Sequence, residues 1–502
     1  MKKYNVLLGY CPVYGKDLAK ALVKEENVSL CYQVADEYCY DEDGIVYFNR
    51  LLGENATYEK VFDLNQMPAL SKELLEQMLP YESMALNLGM RTTNFPIVNY
   101  EEEKCRYYKH LRFWNYILDN YEINAMFFEE TPHRAYTYII YALALVKDIP
   151  ILMCNVSSIP GLRIFGSRIE NLGCDIQDYY AKVCKDMDAD KCIMSGKIEE
   201  FVQKYTQPIA EIKKERKDSN VEKKELKRVT DLFYGKYLGI SNRLLPVKNY
   251  CSRMVKVLKG EKNWEWYEGS KEDIKILEKE CCDIRTYMKH AVITQKEYNK
   301  FAVEPDYSKK YIYFALQLTP EETTMPRAGV FSSQYNSIQL LARAAKENDV
   351  MVYVKEHYVQ TFRSRYVYEQ LKKIPNVRLI KTTVSSFDLI QNCVAVATQT
   401  GTCILEGALR GKPALVTSSG ALWKGLPSMF EIIDEKQGAK IIENIIAGYD
   451  VSREEVLKYF YAIQENAMEC YYEYEWWKQR DKKEHHETVN RLLKRIQRFL
   501  ME

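Results

Sequence analysis

The sequence predicts an α/β protein: two Rossmann-like, doubly wound domains facing a cleft, with a helical insertion and a helical C-terminal tail. Three observations predict it. "INAMFFEETPHRAYTYIIYALALVKDIPILMCNV" runs strand, polar turn, apolar helix, strand. The same rhythm returns at Lys310 and repeats for about 110 residues. Between them, Asn171–Val303 is charged and poor in strand signals. At 502 residues the chain is long enough for two or more domains.

The elements follow in order. Tyr4–Tyr10 reads as a first buried strand, with a helix from about Lys16 to Glu25. Ala125–Phe128 and Pro150–Val156 are strands joined by an apolar helix, which is a parallel βαβ unit. The stretch "GKIEEFVQKYTQPIAEIKKERKDSNVEKKELKRV" reads as long helices with a solvated middle. Then come "YIYFALQL" (strand), "SSQYNSIQLLARAAKEN" (helix), "VMVYVKEH" (strand), "YVYEQLKKIP" (helix) and "VRLI" (strand). "SSFDLIQNC" (short helix) and "VAVAT" (strand) complete the pattern before a last helix and strand. The tail from Ser452 is helical and carries the aromatic cluster "CYYEYEWW". The expected domains are 1–170 (Rossmann-like, acceptor), 171–305 (helical insertion or bridge), 306–445 (Rossmann-like, nucleotide-sugar-binding) and 446–502 (C-terminal helices).

Composition narrows the function. Lysine and arginine number 71 against 70 acids, so the net charge is +1. A nucleic-acid partner would call for a basic excess, and none is expected. The 14 cysteines are irregularly spaced without a Cys-x-x-Cys, and the N-terminal apolar run is too short for a secretory signal. A cytoplasmic setting with free thiols follows. "YIIYALALV" (Tyr138–Val146) is far short of the roughly 20 residues of a membrane span. The 40 tyrosines serve sugar stacking and core filling equally well.

Several motifs fail on spacing. Gly9 to Gly15-Lys16 has five intervening residues where a phosphate loop has four, and Asp17 replaces its Ser/Thr. His485-His486-Glu487 lacks a second zinc-site histidine and reads as a charged surface face. There is no Gly-x-Ser-x-Gly and no metal-ligand spacing, so no metal or cofactor is expected.

Polar residues collect instead at the C-terminal ends of the later strands. Gln317, Glu321 and Glu322 follow the first, and Lys355, Glu356 and His357 follow the next. Ser385 and Ser386 open a helix. "VATQTGTCILEGALRGKPALV" ends a strand in Thr398, Thr400, Gly401 and Thr402, with Glu406 one turn on. Alone, that turn is equally a capped strand–turn–helix. Four such clusters on the edge where open α/β sheets bind ligands point to a nucleotide-linked sugar. Helix starts expose N–H groups to phosphate, Lys355 and His357 add cationic donors, and Glu406 accepts ribose hydroxyls.

"YFALQLTPEETTMPRAGVFSSQ", "YVKEHYVQ", "IPNVRLIKTTVSSFDLI" and "ATQTGTCILEGALRGKPALV" resemble the C-terminal half of bacterial capsular polysaccharide biosynthesis proteins. That group includes CMP-Kdo-dependent capsule transferases with a GT-B fold. The match covers about 130 residues in order; "FFEETPHRAYTYIIYALALVKDIPIL" is similar more loosely. Tyr358 stands where the group has proline, and Gln317 where histidine is frequent.

The resemblance implies a GT-B-like glycosyltransferase of capsule or surface polysaccharide assembly. His357, Ser385, Ser386, Thr400, Gly401, Thr402 and Glu406 would hold a CMP- or UDP-linked donor, with Gln317, Lys355 and Glu321 beside it. Glu129, Glu130 and His133 would approach a glycan or lipid-linked acceptor, one of them as base or nucleophile. The same architecture serves nucleotide-sugar 2-epimerases, CDP-alcohol glycerophosphotransferases and catalytically inactive scaffolds.

Glu129 and Glu130 are adjacent at a strand end and point to opposite sides, so one carboxylate faces a sugar. Thr131-Pro132 reads as the helix entry, with His133 in the first turn. "RLLKRIQRFL" places Leu492, Leu493, Ile496, Phe499 and Leu500 on one helical face ringed by cations. Such a face serves docking on the protein itself or peripheral contact with the inner face of a membrane; docking is the expectation.

Overall fold

The computed structural model describes residues 2–11, 14–35, 39–92, 99–212, 294–319, 321–357, 360, 363–418, 420, 422–470 and 482–502. The chain forms two compact units. One comprises Met1–Ser157, Gly161–Leu172 and Met468–Glu502; the other comprises Ser158–Pro160 and Gly173–Ala467.

The first unit is built on the strands β1 (Tyr4–Leu8), β2 (Val28–Ala35), β3 (Tyr40–Glu42), β4 (Ile45–Asn49), β5 (Ala125–Phe128), β6 (Ile151–Val156) and β7 (Leu162–Gly166). Their order is β7-β6-β5-β1-β2-β4-β3. The inner strands β6, β5, β1, β2 and β4 are parallel, while β7 and β3 run antiparallel. AMFF and the ILMC of β6 are uninterrupted apolar runs because both faces of a parallel sheet are covered. The helix Ala135–Val146, apolar nearly all round, is correspondingly buried. The helices Lys72–Thr92 and Tyr100–Asn120, which the sequence rhythm did not reveal, pack against it.

A last strand, β14 (Met468–Glu469), adds antiparallel to β7. The helix Lys482–Met501 then buries Leu492, Ile496 and Leu500 in a core shared with Val6, Leu18, Leu22 and Cys31. Leu493 and Phe499 pack on the same cluster. At about 1.5–3 kcal/mol per buried side chain, this face is firmly committed to its own unit. The docking expectation stands, and the apolar stripe is not available to a membrane. His485, expected on a charged surface, bonds Asp17 Oδ2 at 2.7 Å and lies 5.1 Å from the Tyr14 ring. Of "CYYEYEWW", Cys470 lies in the core and the rest falls outside the described residues.

The second unit carries β8 (Tyr311–Ala315), β9 (Met351–Lys355), β10 (Val377–Ile380), β11 (Ala395–Thr398), β12 (Ala414–Val416) and β13 (Met429–Glu431). Every pairing is parallel, in the order β10-β9-β8-β11-β12-β13. The chain winds outward from central β8 to β10, returns to β11, and winds outward again, so the strand order reverses between β8 and β11. Helices Gln334–Lys346 and Glu435–Ile446 pack together over the core that contains Ile338, Leu341 and Ile442.

Two Rossmann-like α/β units in one chain are the composition a GT-B-like protein requires. Of the expected insertion, 171–212 and 294–305 are described: Cys174–Asp186, Gly196–Thr206 and residues 294–301 are helical, and 213–293 lie outside the described residues. Cys174–Asp186 packs on Arg453–Asn466, with Tyr180 and Tyr459 rings 5.3 Å apart. The segment 446–502 is therefore shared: Arg453–Asn466 belongs to the second unit, and the chain from Met468 to the first.

Candidate functional site

In an open α/β sheet, the crevice beyond the strand C-termini at the order reversal is where ligands bind. In the second unit that point lies between the ends of β8 and β11, where Gln317 faces the Thr398–Gly401 turn. Gln317 Nε2 donates to Thr400 Oγ1 at 2.9 Å, and its Oε1 accepts from Thr400 N at 3.0 Å. Thr398 Oγ1 donates to the same Oε1 at 3.3 Å and accepts from Gly401 N at 3.2 Å. Thr400 Oγ1 donates onward to Thr323 O at 2.8 Å. A Cβ at Gly401 would stand 2.8 Å from Thr398 Oγ1, so only glycine lets the turn close. The Thr400 and Gly401 N–H groups are thus spent on building the turn. Thr402 remains exposed at the helix entry, with its hydroxyl 3.4 Å from Glu406 Oε1.

The end of β9 supplies a second group. Lys355 Nζ donates to Ser386 Oγ at 3.0 Å, and Tyr313 OH reaches the same oxygen at 3.2 Å. Ser385 occupies the N-cap position without a side-chain cap bond. Burial, reinforced by Lys355 and Arg363, holds the His357 imidazole down at about 4. It is neutral near pH 7 and is a hydrogen-bonding group, not the cationic donor the sequence suggested.

Glu356 is structural. Fully buried, it accepts from Arg363 Nε at 2.7 Å and from Tyr368 OH at 2.6 Å. Arg363 Nη2 also donates to Gln317 O at 2.8 Å, tying the β9 loop to the β8 end. Gln334 braces Gln317 from the other side: Gln317 N donates to its Oε1 at 2.8 Å, and its Nε2 donates to Gln317 O at 2.9 Å. Sequence reading missed Arg363 and Gln334, because the partners lie far apart along the chain. Glu321 is turned onto its own loop, accepting from the Thr323 N–H at 2.9 Å and from the Thr323 hydroxyl. The polar contacts gather Gln317, Thr398, Thr400 and Gly401, and separately Lys355 with Ser386. Thr323 connects Glu321 to the first of these groups.

The first unit repeats the topology, with its reversal between β1 and β5. Glu129 and Glu130 follow β5 and diverge as strand alternation requires. Glu129 is 4% exposed, while the Glu130 side chain is 37% exposed. Burial pushes the Glu129 carboxyl up to about 7, against the opposing pull of Arg163 and of the Cys11 thiol bonded to it. Its Oε1 has no hydrogen-bond partner among the described residues. Burial and then Glu129 push the Cys11 thiol well up, so it stays protonated.

His133 Nδ1 lies 2.9 Å from Thr131 O, which places the proton on that nitrogen, and 3.5 Å from Glu130 Oε1. The helix starts at Ala135 rather than at Thr131-Pro132, so His133 sits in the entry loop and not in the first turn. Sequence reading also missed a charged cluster nearby: Arg50 Nη1 at 2.5 Å and Arg134 Nη1 at 2.6 Å share Glu54 Oε1. Among the described residues, no His/Cys/Asp/Glu group could hold a metal ion, every cysteine is free, and no helix is long and apolar enough to cross a membrane.

The fold and these strand-end groups define an α/β protein with a polar site at each sheet's order reversal. No family model matches the chain, and no curated protein matches it. Among solved structures it is similar to Thermosulfurimonas dismutans KpsC, a beta Kdo 2,7 transferase, at 15% identity over 34% of this chain and 51% of that one (TM-score 0.22). It therefore spans about half the length of that structure. It is also similar to S. aureus MnaA in a UDP co-structure, at 13% identity over 93% and 92% of the two chains (TM-score 0.23). A third is the UDP-GlcNAc 2-epimerase of Methanocaldococcus jannaschii, at 12% identity over 92% and 98% (TM-score 0.25). Likenesses this distant assign no activity; the functional reading rests on the site's own residues.

Proposed function

We propose that this chain is a glycosyltransferase of the GT-B type. It takes a CMP- or UDP-linked sugar in its second unit and transfers the sugar to a glycan or lipid-linked acceptor in surface polysaccharide assembly. The observation that carries the reading is the Gln317–Thr400 clasp at the β8–β11 reversal, where an all-parallel sheet binds its ligand. Gln317, Thr398, Thr400 and Gly401 build the turn; Thr402, Glu406, Lys355, Ser386 and His357 meet the nucleotide. Lys355 supplies charge for a phosphate, and Glu406 accepts ribose hydroxyls. In the first unit, Glu130 and His133 are assigned to the acceptor proton because Glu129 is buried against Cys11 and Arg163. Glu321 is assigned to its loop.

The test is thermal stabilisation by CMP, CDP, UDP and GDP, followed by incubation with the matching nucleotide sugar, with and without acceptor. A cytidine or uridine nucleotide should stabilise the protein, and sugar transfer should require acceptor. Conversion of a UDP-sugar alone would replace the transferase with an isomerase, and stabilisation by none of the four would refute the nucleotide site.

A further inference from the structure

The second unit buries two arginines near its strand ends, and they are treated differently. Arg363 is fully engaged, with Glu356, Gln317 O and Gln360 Oε1 all within hydrogen-bond distance. Arg327 is only 4% exposed, yet among the described residues its sole ion-pair contact is Glu322 Oε1, 3.8 Å from Nη1. Among the described residues neither Nε nor Nη2 has a hydrogen-bond partner. These two nitrogens form one edge of the guanidinium, the edge that grips carboxylate or phosphate with two parallel bonds. Leaving a charge buried and unpaired is costly, and the two nearby acids do not outweigh it: burial still pulls the Arg327 pKa down.

The backbone holds this side chain in place. Arg327 N donates to Glu322 O at 3.3 Å, and Arg327 O accepts from Ser418 Oγ at 2.9 Å. Ser418 lies just beyond the C-terminal end of β12. Gly420 presses so closely that a Cβ there would lie 1.9 Å from Arg327 O. Gln399, following β11, donates to Phe331 O and Ser337 Oγ and fixes the far side of the same loop. Arg327 is therefore anchored among the strand ends of β8, β11 and β12.

We propose that Arg327 is a ligand-binding residue whose Nε–Nη2 edge clasps a two-oxygen anion of the molecule bound at these strand ends. The proposal rests on the nucleotide-sugar reading, which offers two sources of that chemistry: a phosphate of the nucleotide, or a carboxylate on the sugar.

The test compares wild type with R327M and R327K, using inorganic pyrophosphate and glucuronate as probes alongside the nucleotide panel. R327M should weaken one probe about tenfold or more, and R327K should restore only part of it, because an ammonium supplies charge without the fork. Loss of pyrophosphate binding identifies the phosphate; loss of glucuronate binding identifies the carboxylate. Ligand-free R327M should melt no lower than wild type, since it removes an unpaired buried charge. If R327M does not fold, R327K alone decides by its weakened probe binding. Equal probe binding by wild type and variant, or no binding of either probe by wild type, overturns the proposal. Nucleotide and glucuronate binding that both survive unchanged in R327M refute Arg327 while the function stands. Pyrophosphate binding lost in R327M, with no nucleotide bound by wild type, refutes the function reading and not the clasp.

Discussion

The side-chain amide of Gln317 clasps Thr400 twice, donating to its hydroxyl at 2.9 Å and accepting from its main-chain N–H at 3.0 Å. Both groups are buried, so removing the amide strands an N–H without water. Gln317→Ala should cost about 2 kcal/mol or more in urea unfolding and weaken nucleotide stabilisation with it. Unchanged stability would show that the turn holds without the clasp.

The Glu356–Arg363 pair should behave as a buried couple. Removing one partner leaves the other charge uncompensated, so Glu356→Leu should cost about 3–5 kcal/mol. The double variant Glu356→Leu with Arg363→Met should lose less than the single one. A double-mutant cycle measures this directly, and additive losses would argue against coupling.

Glu129 gives the protein a pH signature. Its carboxyl titrates near 7 when folded and near 4.5 when free. Between those values the folded state keeps a proton that the unfolded chain has released. Its contribution to stability is therefore complete below about pH 4.5 and is lost as pH rises through 7, a total of about 3 kcal/mol. Glu129→Gln should abolish that decline and be the more stable protein at pH 8. Parallel pH–stability curves for the two would disprove the assignment.

Catalysis is assigned to the more open pair. Glu130→Gln and His133→Ala should each lower turnover by about a hundredfold, the scale of general acid–base work, while nucleotide binding persists. Steady-state rates with the true acceptor, alongside nucleotide melts, separate the two effects. Wild-type turnover in both variants would move the base elsewhere.

Because His357 is held near 4, the role proposed for it in nucleotide binding is that of a neutral hydrogen-bonding group. His357→Ala should weaken binding about fivefold. The wild-type affinity should not vary through His357 between pH 5.5 and 7.5. A His357-dependent step near pH 6.5 would contradict the burial.

Much of the fold was legible in one dimension. Strands β8 to β12 of the second unit were placed to within a few residues, because buried runs such as AVAT belong to a covered parallel sheet, whereas β13 was not read. In the first unit β2, β3, β4, β7 and β14 escaped. VSLCYQVA mixes polar with apolar residues, and its parallel partner IVYFN lies beyond the short strand β3.

The sequence by itself determined the two α/β layers, the strand-end edge on which polar residues gather, and the amphipathic face of the last helix. Tertiary structure alone decided what those residues do. Chain spacing could not show that Gln317, 83 positions from Thr400, would occupy its N–H. Nor could it show that the Glu356 carboxylate would be consumed by Arg363, that Glu129 and Glu130 would divide into a buried and an open acid, or that Arg327 would be buried with one edge unpaired. The physical reason is common to all four. Local pattern fixes which atoms reach an edge, but hydrogen-bond partners and desolvation are set by segments that meet only when the chain has folded.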